Sequence, residues 1–371
     1  MPDRSRLSAV LIAKDEERRI ARCLESVAGW ADEIVVVDGM STDRTVEICE
    51  RYGAKVIRRP FSGDFGQERN AGNEAATGDW ILQLDADDAV SPQLREQIEQ
   101  VLSNGSPYTA YKFRRKNWFL GHEMRYGGWY HYYPHLFRRG QARFEGRVHH
   151  LLKTQGPMGV LEGALEHRPF DSIEQFIARH NRYTTIEAQE MWDRQGLIDL
   201  RVVRYQLTRR PLKLFWKMYV RKQGFREGWH GLVFSILFAW VHVMKWAKYW
   251  EVARATSGGL DSAAVPPPSA EGPLSVQLSS LTQFIERQNH HTSVESRRLF
   301  ERQGRVPGRM LAYQLTWRPM KLFWKSYRKN QGWREGEHGL VFGLLYAFAH
   351  VMFWANYWSM CYTTQTTHGP R

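Results

Sequence analysis

Three carboxylates fall within four positions, Asp85, Asp87 and Asp88, directly after the mostly apolar run Trp80-Ile81-Leu82-Gln83-Leu84. Side chains this close repel one another and are costly to strip of water. A divalent cation relieves that cost, and Mg²⁺ or Mn²⁺ takes oxygen ligands and often bridges to phosphates. The apolar run reads as a buried parallel strand, so the acidic group lies at its carboxyl end, where open α/β sheets bind ligands. A plainer alternative is a solvated acidic loop capping the helix that Ser91-Pro92 begins.

The elements that must position this group precede it. Leu7–Ala13, Asp32–Asp38 and Ala54–Ile57 read as strands. Arg18–Trp30, Thr45–Tyr52 and Gly66–Ala76 carry helical spacing between them. The order β-α-β-α-β-α-β predicts a doubly wound, mostly parallel sheet. The informative polar residues stand at strand ends: Asp15 and Glu16 after the first strand, Asp38 after the second, Asp85 to Asp88 after the fourth. In this topology they converge on one crevice. Neither a Gly-x-Gly-x-x-Gly turn after the first strand nor a P-loop is present. A nucleotide there would be gripped by carboxylates and a metal.

Four segments, in order, resemble the family-2 glycosyltransferases: Ile12-Ala13-Lys14-Asp15-Glu16-Glu17; Val36-Val37-Asp38-Gly39-Met40-Ser41-Thr42-Asp43-Arg44-Thr45; Arg69-Asn70-Ala71-Gly72; and Leu84-Asp85-Ala86-Asp87-Asp88. The resemblance covers roughly residues 5–120 and implies a GT-A type fold and a nucleotide-diphosphate sugar donor, UDP-hexose first among them. It implies roles as well. Asp38 would bind the base, with Asp15 or Glu16 near the ribose. Arg69 would lie near the diphosphate, Asp85 would touch the nucleoside, and Asp87 would ligate Mg²⁺ or Mn²⁺, with Asp85 beside it.

Residues 105–170 read as the acceptor half. Trp129 to Arg139, Phe144 to His150 and His167-Arg168-Pro169-Phe170 resemble the subgroup that adds glucose to heptose in the lipopolysaccharide inner core. That implies a glycolipid or oligosaccharide acceptor. The chain departs from the subgroup's pattern around Tyr130-His131, at His135 and at His150, close to where a general base belongs. An inverting transfer needs such a base on the acceptor hydroxyl, and Glu145, His131, His149 and His150 are the candidates.

The net charge of +13 is unevenly placed. Residues 1–150 hold 22 Lys and Arg against 22 Asp and Glu, so the excess lies entirely in residues 151–371, with eleven of the fifteen tryptophans. An anionic partner for that half alone is expected. The same half holds an internal repeat: residues 170–250 recur as 278–358, offset by 108 without gaps, with about half the positions identical. Arg210-Pro211-Leu212-Lys213-Leu214-Phe215-Trp216-Lys217 returns as Arg318-Pro319-Met320-Lys321-Leu322-Phe323-Trp324-Lys325. The expected organisation is a glycosyltransferase domain over 1–168, a basic aromatic helical appendage over 169–252, a Ser/Gly/Pro-rich linker over 253–279, a second appendage over 280–360, and a disordered tail over 361–371.

Leu232–Trp246 is too short and too interrupted to span a bilayer and reads as an interfacial helix, or else as a buried helix of an all-α appendage. Three cysteines without metal or disulfide spacing suit a reducing compartment. The expected location is the cytoplasmic face of a membrane with an anionic surface. A nucleic-acid binder and an inactive scaffold are the competing classes. The apolar run Leu232–Trp246 argues for lipid against nucleic acid, and the missing acidic residues near 131 and 150 motivate the scaffold.

Overall fold

Three strands with near-continuous apolar sequence and one short edge strand form the spine of the first unit: β1 (Leu7–Ala13), β2 (Glu33–Asp38), the edge strand β3 (Lys55–Arg58) and β4 (Trp80–Asp85). They pair in parallel in the order β3-β2-β1-β4. Strands covered on both faces need apolar residues at both parities. Leu7, Ala9 and Leu11 enter the larger core cluster, while Val10, Val35 and Ile81 enter a smaller one on the opposite face. The computed structural model describes residues 4–146, 151–256 and 280–363, and the chain divides into two units, Met1–Pro169 and Phe170–Arg371.

Helices α1 (Ile20–Glu25), α2 (Thr45–Arg51) and α3 (Phe65–Ala75) connect these strands. α1 is shorter than the periodicity of Arg18–Trp30 suggests. Val27 and Trp30 are still buried, but through a turn in which the Trp30 indole donates to the Ser26 carbonyl at 2.8 Å. α3 lies close on the sheet because Gly72 has no side chain: a Cβ there would stand 2.6 Å from Val10. Beyond β4 the sheet turns antiparallel. The remaining strands are β5 (Asp88–Val90), β6 (Ala110–Phe119), β7 (His122–Met124), β8 (Tyr132–Arg138), β9 (Ala142–Glu145), β10 (Leu151–Thr154) and β11 (Met158–Phe170). After β4 the order runs β8-β6-β11-β5, and β9 and β10 form a separate hairpin. α4 (Pro92–Asn104) starts as its sequence requires, with the Ser91 hydroxyl accepting from Leu94 N and Pro92 in the first turn. The unit has the GT-A type architecture.

The second unit is helical and repeats itself element by element. α5 (Ile173–Gln195), α6 (Leu200–Trp216) and α7 (Gly228–Thr256) have counterparts α8 (Leu281–Gln303), α9 (Gly308–Trp324) and α10 (Gly336–Thr363). Even the π-helical turns, Lys217–Arg221 and Lys325–Lys329, keep the offset of the repeat.

The two copies pack through reciprocal contacts. Asn181 donates to the Thr282 carbonyl at 3.0 Å, and its equivalent Asn289 donates to the Glu174 carbonyl at 2.9 Å. His230 meets Trp358 edge to face, and the equivalent His338 meets Trp250 in the same way. Trp240 stacks at 5.1 Å on Phe348, its own equivalent in the second copy. A residue touching its counterpart marks a two-fold axis, so the duplication has produced an isologous interface inside one chain.

Leu232–Trp246 is the centre of α7, and none of the side chains over 231–250 is exposed. Its interfacial reading does not survive that burial, because α5, α6 and the second copy take up its apolar surface. By length and composition alone, 224–256 and 332–362 could each cross a membrane, yet 61% of each apolar window is buried within the protein. Residues 257–279 of the expected linker and 364–371 of the expected tail lie outside the described residues.

Two expectations follow for stability. Phe348 is fully buried at the pseudo-two-fold contact, so Phe348→Ala should cost about 3–5 kcal/mol by chemical denaturation followed by tryptophan fluorescence. Burial pushes His180 down to about 4, and His242 and His350 likewise to about 4. With an unfolded value near 6.5, the folded protein binds fewer protons between these limits. Stability present above that range is therefore lost as pH falls through it. Tm should drop between pH 7 and 4.5, and the drop should shrink in His180→Leu; an unchanged slope would remove His180 from the account.

Candidate functional site

The carboxyl end of β4 delivers Asp85, and the turn into β5 delivers Asp87 and Asp88. β11 runs antiparallel to β5 with His167 opposite Asp88. A residue about eighty positions away in sequence thereby joins the acidic group. One ligand atom from each of Asp87, Asp88 and His167 lies within 4.8 Å of the others, and all three residues are buried.

The imidazole is oriented by a second layer. His167 Nδ1 lies 2.6 Å from Asn117 Oδ1. Asn117 uses its amide nitrogen to donate to the carbonyls of Trp129 and Arg115. Its oxygen is therefore the acceptor and Nδ1 carries a proton, which leaves Nε2 as the ring atom available to a cation. Nε2 points at Asp87 Oδ1, 3.4 Å away. An imidazole fixed in this way beside two carboxylates fits a divalent cation that accepts oxygen and nitrogen ligands. The Asp87 backbone is itself pinned, its carbonyl accepting from Arg22 at 2.7 Å and from Arg168 N at 3.0 Å.

Asp85, expected as a ligand beside Asp87, is engaged otherwise. Arg69 and Arg115 both donate to its carboxylate. Burial pushes Asp85 up, but the two guanidiniums outweigh it and hold the carboxyl well below its usual range. Arg115 also reaches Asp88 at 2.9 Å and 2.8 Å, and Asp87 at 3.8 Å. Burial still pushes Asp88 up. Burial alone would lower Arg115, but Asp88, Asp85 and Asp87 raise it well above the ordinary value. Three carboxylates against two guanidiniums leave one negative charge for a cation to balance.

The loops after β1 and β2 are knitted together. Asp38 is fully buried and accepts from Ser41 N, with Arg58 at 3.4 Å. Asp15 adopts a left-handed φ of 53° and accepts from Thr42 N at 2.8 Å. Glu16 pairs with Arg19 at 2.9 Å, while its amide donates to Thr45. The Ser-x-Asp-x-Thr turn and the loop after β1 thus shape one rim at the sheet's carboxyl edge.

In the region expected to face the acceptor, Asn70 makes two hydrogen bonds of 2.9 Å to the backbone of Phe144 and so fastens β9 to α3. Glu145 is the next residue and is exposed. His131 is exposed near the start of β8. His149 and His150 lie outside the described residues. His135 is buried against Phe113 and bonded to the Gln83 carbonyl at 3.0 Å, and burial, with Arg115 nearby, lowers it to about 3. It is a neutral structural ring at physiological pH.

Arg115, His167 and Asn117 were given no role from the sequence, and Asp88 was named only as a member of the acidic group. Asp88 stands within the acidic motif, and His167 within the quoted His-Arg-Pro-Phe segment. Arg115 and Asn117 sit in a strand whose pattern, Tyr-Lys-Phe-Arg-Arg-Lys-Asn-Trp, carries no distinguishing signal.

A buried set of carboxylates, guanidiniums and an oriented imidazole at the carboxyl edge of such a sheet defines an α/β domain with a candidate cation site. The family model for glycosyl transferase family 2 matches residues 8–156. An uncharacterized glycosyltransferase of Rickettsia felis is 31% identical over 259 residues, covering 66% of this chain and 90% of that one. The lipopolysaccharide core biosynthesis glycosyltransferase LpsC of Rhizobium meliloti is 30% identical over 258 residues, covering 63% and 90%. A solved structure of S. aureus TarS 1-349 in complex with UDP aligns over 68% of this chain and 92% of that one, at 16% identity and a TM-score of 0.35. The chain belongs to glycosyltransferase family 2 and is a glycosyltransferase.

Removing the group that orients His167 should weaken the metal centre without emptying it. Asn117→Ala is expected to lower affinity for Mn²⁺ by roughly 10- to 100-fold, measured by calorimetric titration of the full chain. Unchanged affinity would mean that His167 does not ligate.

Proposed function

We propose that this enzyme transfers a hexose, with inversion, from a nucleoside-diphosphate sugar to a glycolipid or oligosaccharide acceptor of the cell envelope. The observation that carries the reading is the buried Asp87–Asp88–His167 group at the carboxyl end of β4 in a family-2 domain. Mg²⁺ or Mn²⁺ held there would supply charge neutralisation for the departing nucleoside diphosphate. UDP-hexose is the first donor to test. The relation to a lipopolysaccharide core glycosyltransferase supports the acceptor class.

The protein's own groups divide the work. Asp38 and the loop holding Asp15 and Glu16 bind base and ribose. Arg69, in the middle of α3, faces the diphosphate, and Arg115 carries the same positive field across the pocket floor. These guanidiniums are fixed by Asp85 and Asp88 before substrate arrives, so their dipoles need not reorganise during the reaction. Glu145 is the carboxylate we assign as general base. It is exposed on β9, which Asn70 fastens to the helix that bears Arg69. His131 then lines the acceptor side. The enzyme works at the cytoplasmic face of a membrane, with the helical unit meeting an anionic lipid surface.

Asp87→Ala should abolish metal-dependent hydrolysis of UDP-hexose and leave Tm within a few degrees of the parent; retained turnover without metal would sink the mechanism. Glu145→Gln should lower kcat by about 10²–10⁴-fold with little change in donor KM, and should remove the acidic limb of the kcat–pH profile. A profile that keeps that limb would move the base to another residue.

A further inference from the structure

We infer that segments 209–226 and 317–334 are paired docking elements that seat the helical unit on an anionic bilayer. This rests on the membrane location given above and supplies the surface that performs it.

Each segment is the end of a helix, a π-helical turn and a short 3₁₀ turn. Segment 209–226 contains seven Lys and Arg and segment 317–334 contains six, and the first acidic residue to follow in each copy is the glutamate that closes the 3₁₀ turn, Glu227 or Glu335. All thirteen of these basic residues are exposed. Large apolar side chains stand among them at equivalent places in both copies. Leu212, Trp216 and Phe225 are 63%, 59% and 51% exposed, and their counterparts Met320, Trp324 and Trp333 are 53%, 58% and 47% exposed. Trp317, at the start of the second segment, is 54% exposed, whereas Trp246, Trp354 and Trp358 in α7 and α10 are buried. Tryptophan beside Lys and Arg suits the headgroup layer, where an apolar ring enters and a cation remains in water.

These tips are built, not frayed. Gln223 and Gln331 take left-handed φ values of 57° and 58° to close the π turn. The 3₁₀ turn then folds back so closely that a Cβ on Gly231 would meet the Gly224 carbonyl at 1.8 Å, and one on Gly339 would meet Gly332 at 1.8 Å. Phe215 stacks on Tyr219 at 5.3 Å, and Phe323 on Tyr327 at 5.4 Å. The exposed rings therefore project from a rigid support.

Their arrangement allows one planar partner to meet both. The contacts His230–Trp358, Trp240–Phe348 and Trp250–His338 run α7 and α10 antiparallel. The tips preceding α7 and α10 consequently lie at opposite ends of that pair, about 40 Å apart at 1.5 Å per residue. A two-fold rotation preserves height along its axis, so both tips stand level, and one plane perpendicular to the axis meets both. Two weak contacts presented together bind far more tightly than either alone. Nucleic acid would stack on the rings but gain little from Leu212 and Met320, whereas both contribute by insertion into lipid.

The test is flotation of the full chain with vesicles of phosphatidylcholine alone and of phosphatidylcholine with phosphatidylglycerol. The parent is expected to float only with the anionic vesicles. Lys213→Glu with Lys217→Glu should weaken binding about tenfold or more, as should Lys321→Glu with Lys325→Glu; all four together, or Trp216→Ala with Trp324→Ala, should leave the protein at the bottom. Helical circular dichroism confirms that each variant folds. Equal flotation of the fourfold variant, or tighter capture by a single-stranded oligonucleotide than by anionic vesicles, would overturn the assignment. Hydrolysis of UDP-hexose without vesicles reads the catalytic unit separately, so a failed docking surface and a failed donor assignment are distinguishable.

Discussion

The catalytic unit depends on how it keeps three carboxylates in a buried place. Left alone, Asp85, Asp87 and Asp88 would protonate or force the loop open. Arg69 and Arg115 answer most of that charge, and both donate to Asp85. The arrangement also fixes what else can be there. Arg115 comes from β6 and Arg69 from α3, so the antiparallel half of the sheet and the helix behind it must close on the same spot. The charge left over sits at Asp87 and Asp88, where His167 arrives on β11 with its proton fixed on the far nitrogen by Asn117. Fold, pocket charge and candidate metal site are one constraint seen at three scales.

The helical unit follows a different logic. Its copies join through a surface that complements itself, with Trp240 on Phe348 at the axis and reciprocal asparagine bonds on either side. The relatives from Rickettsia felis and Rhizobium meliloti match over about 260 residues that make up 90% of their own length. They are too short to hold the second copy. What a single appendage would leave uncovered on α7, this chain covers with its own duplicate. The duplication also doubles the basic, aromatic tips without adding catalytic carboxylates, so any gain belongs to placement of the enzyme and not to its chemistry.

Much of the donor half was legible. Continuous apolar runs are the signature of doubly covered strands, and the strands at 7–13, 33–38 and 80–85 fell within a residue or so of their expected ends. Ser91-Pro92 and Gly72 carried their local meaning into the structure. Helix length was read less well: the pattern over 18–30 ends as a helix at Glu25 because burial of Trp30 is met by a turn. The buried Asp87–Asp88–His167 group was visible only in part. Asp87 was named for the metal, but His167 is adjacent to it only through the β11–β5 pairing, and no local pattern specifies such a partner.

By itself, then, the sequence determined what is local or periodic: the parallel strands, the caps and turns, the acidic group at a strand end, the family motifs, and a repeat whose spacing of 108 every helix keeps. Only the tertiary structure decided which charges meet and which apolar surface is covered. Asp85 became the anchor of two guanidiniums, His135 became a neutral buried ring, and Leu232–Trp246 became the inside of a bundle, while the tips beside it stayed exposed. Hydrophobic periodicity fixes an element because it repeats within a few residues. Burial and ion pairing depend on neighbours a hundred residues away, and their energies are settled only when those neighbours are in place.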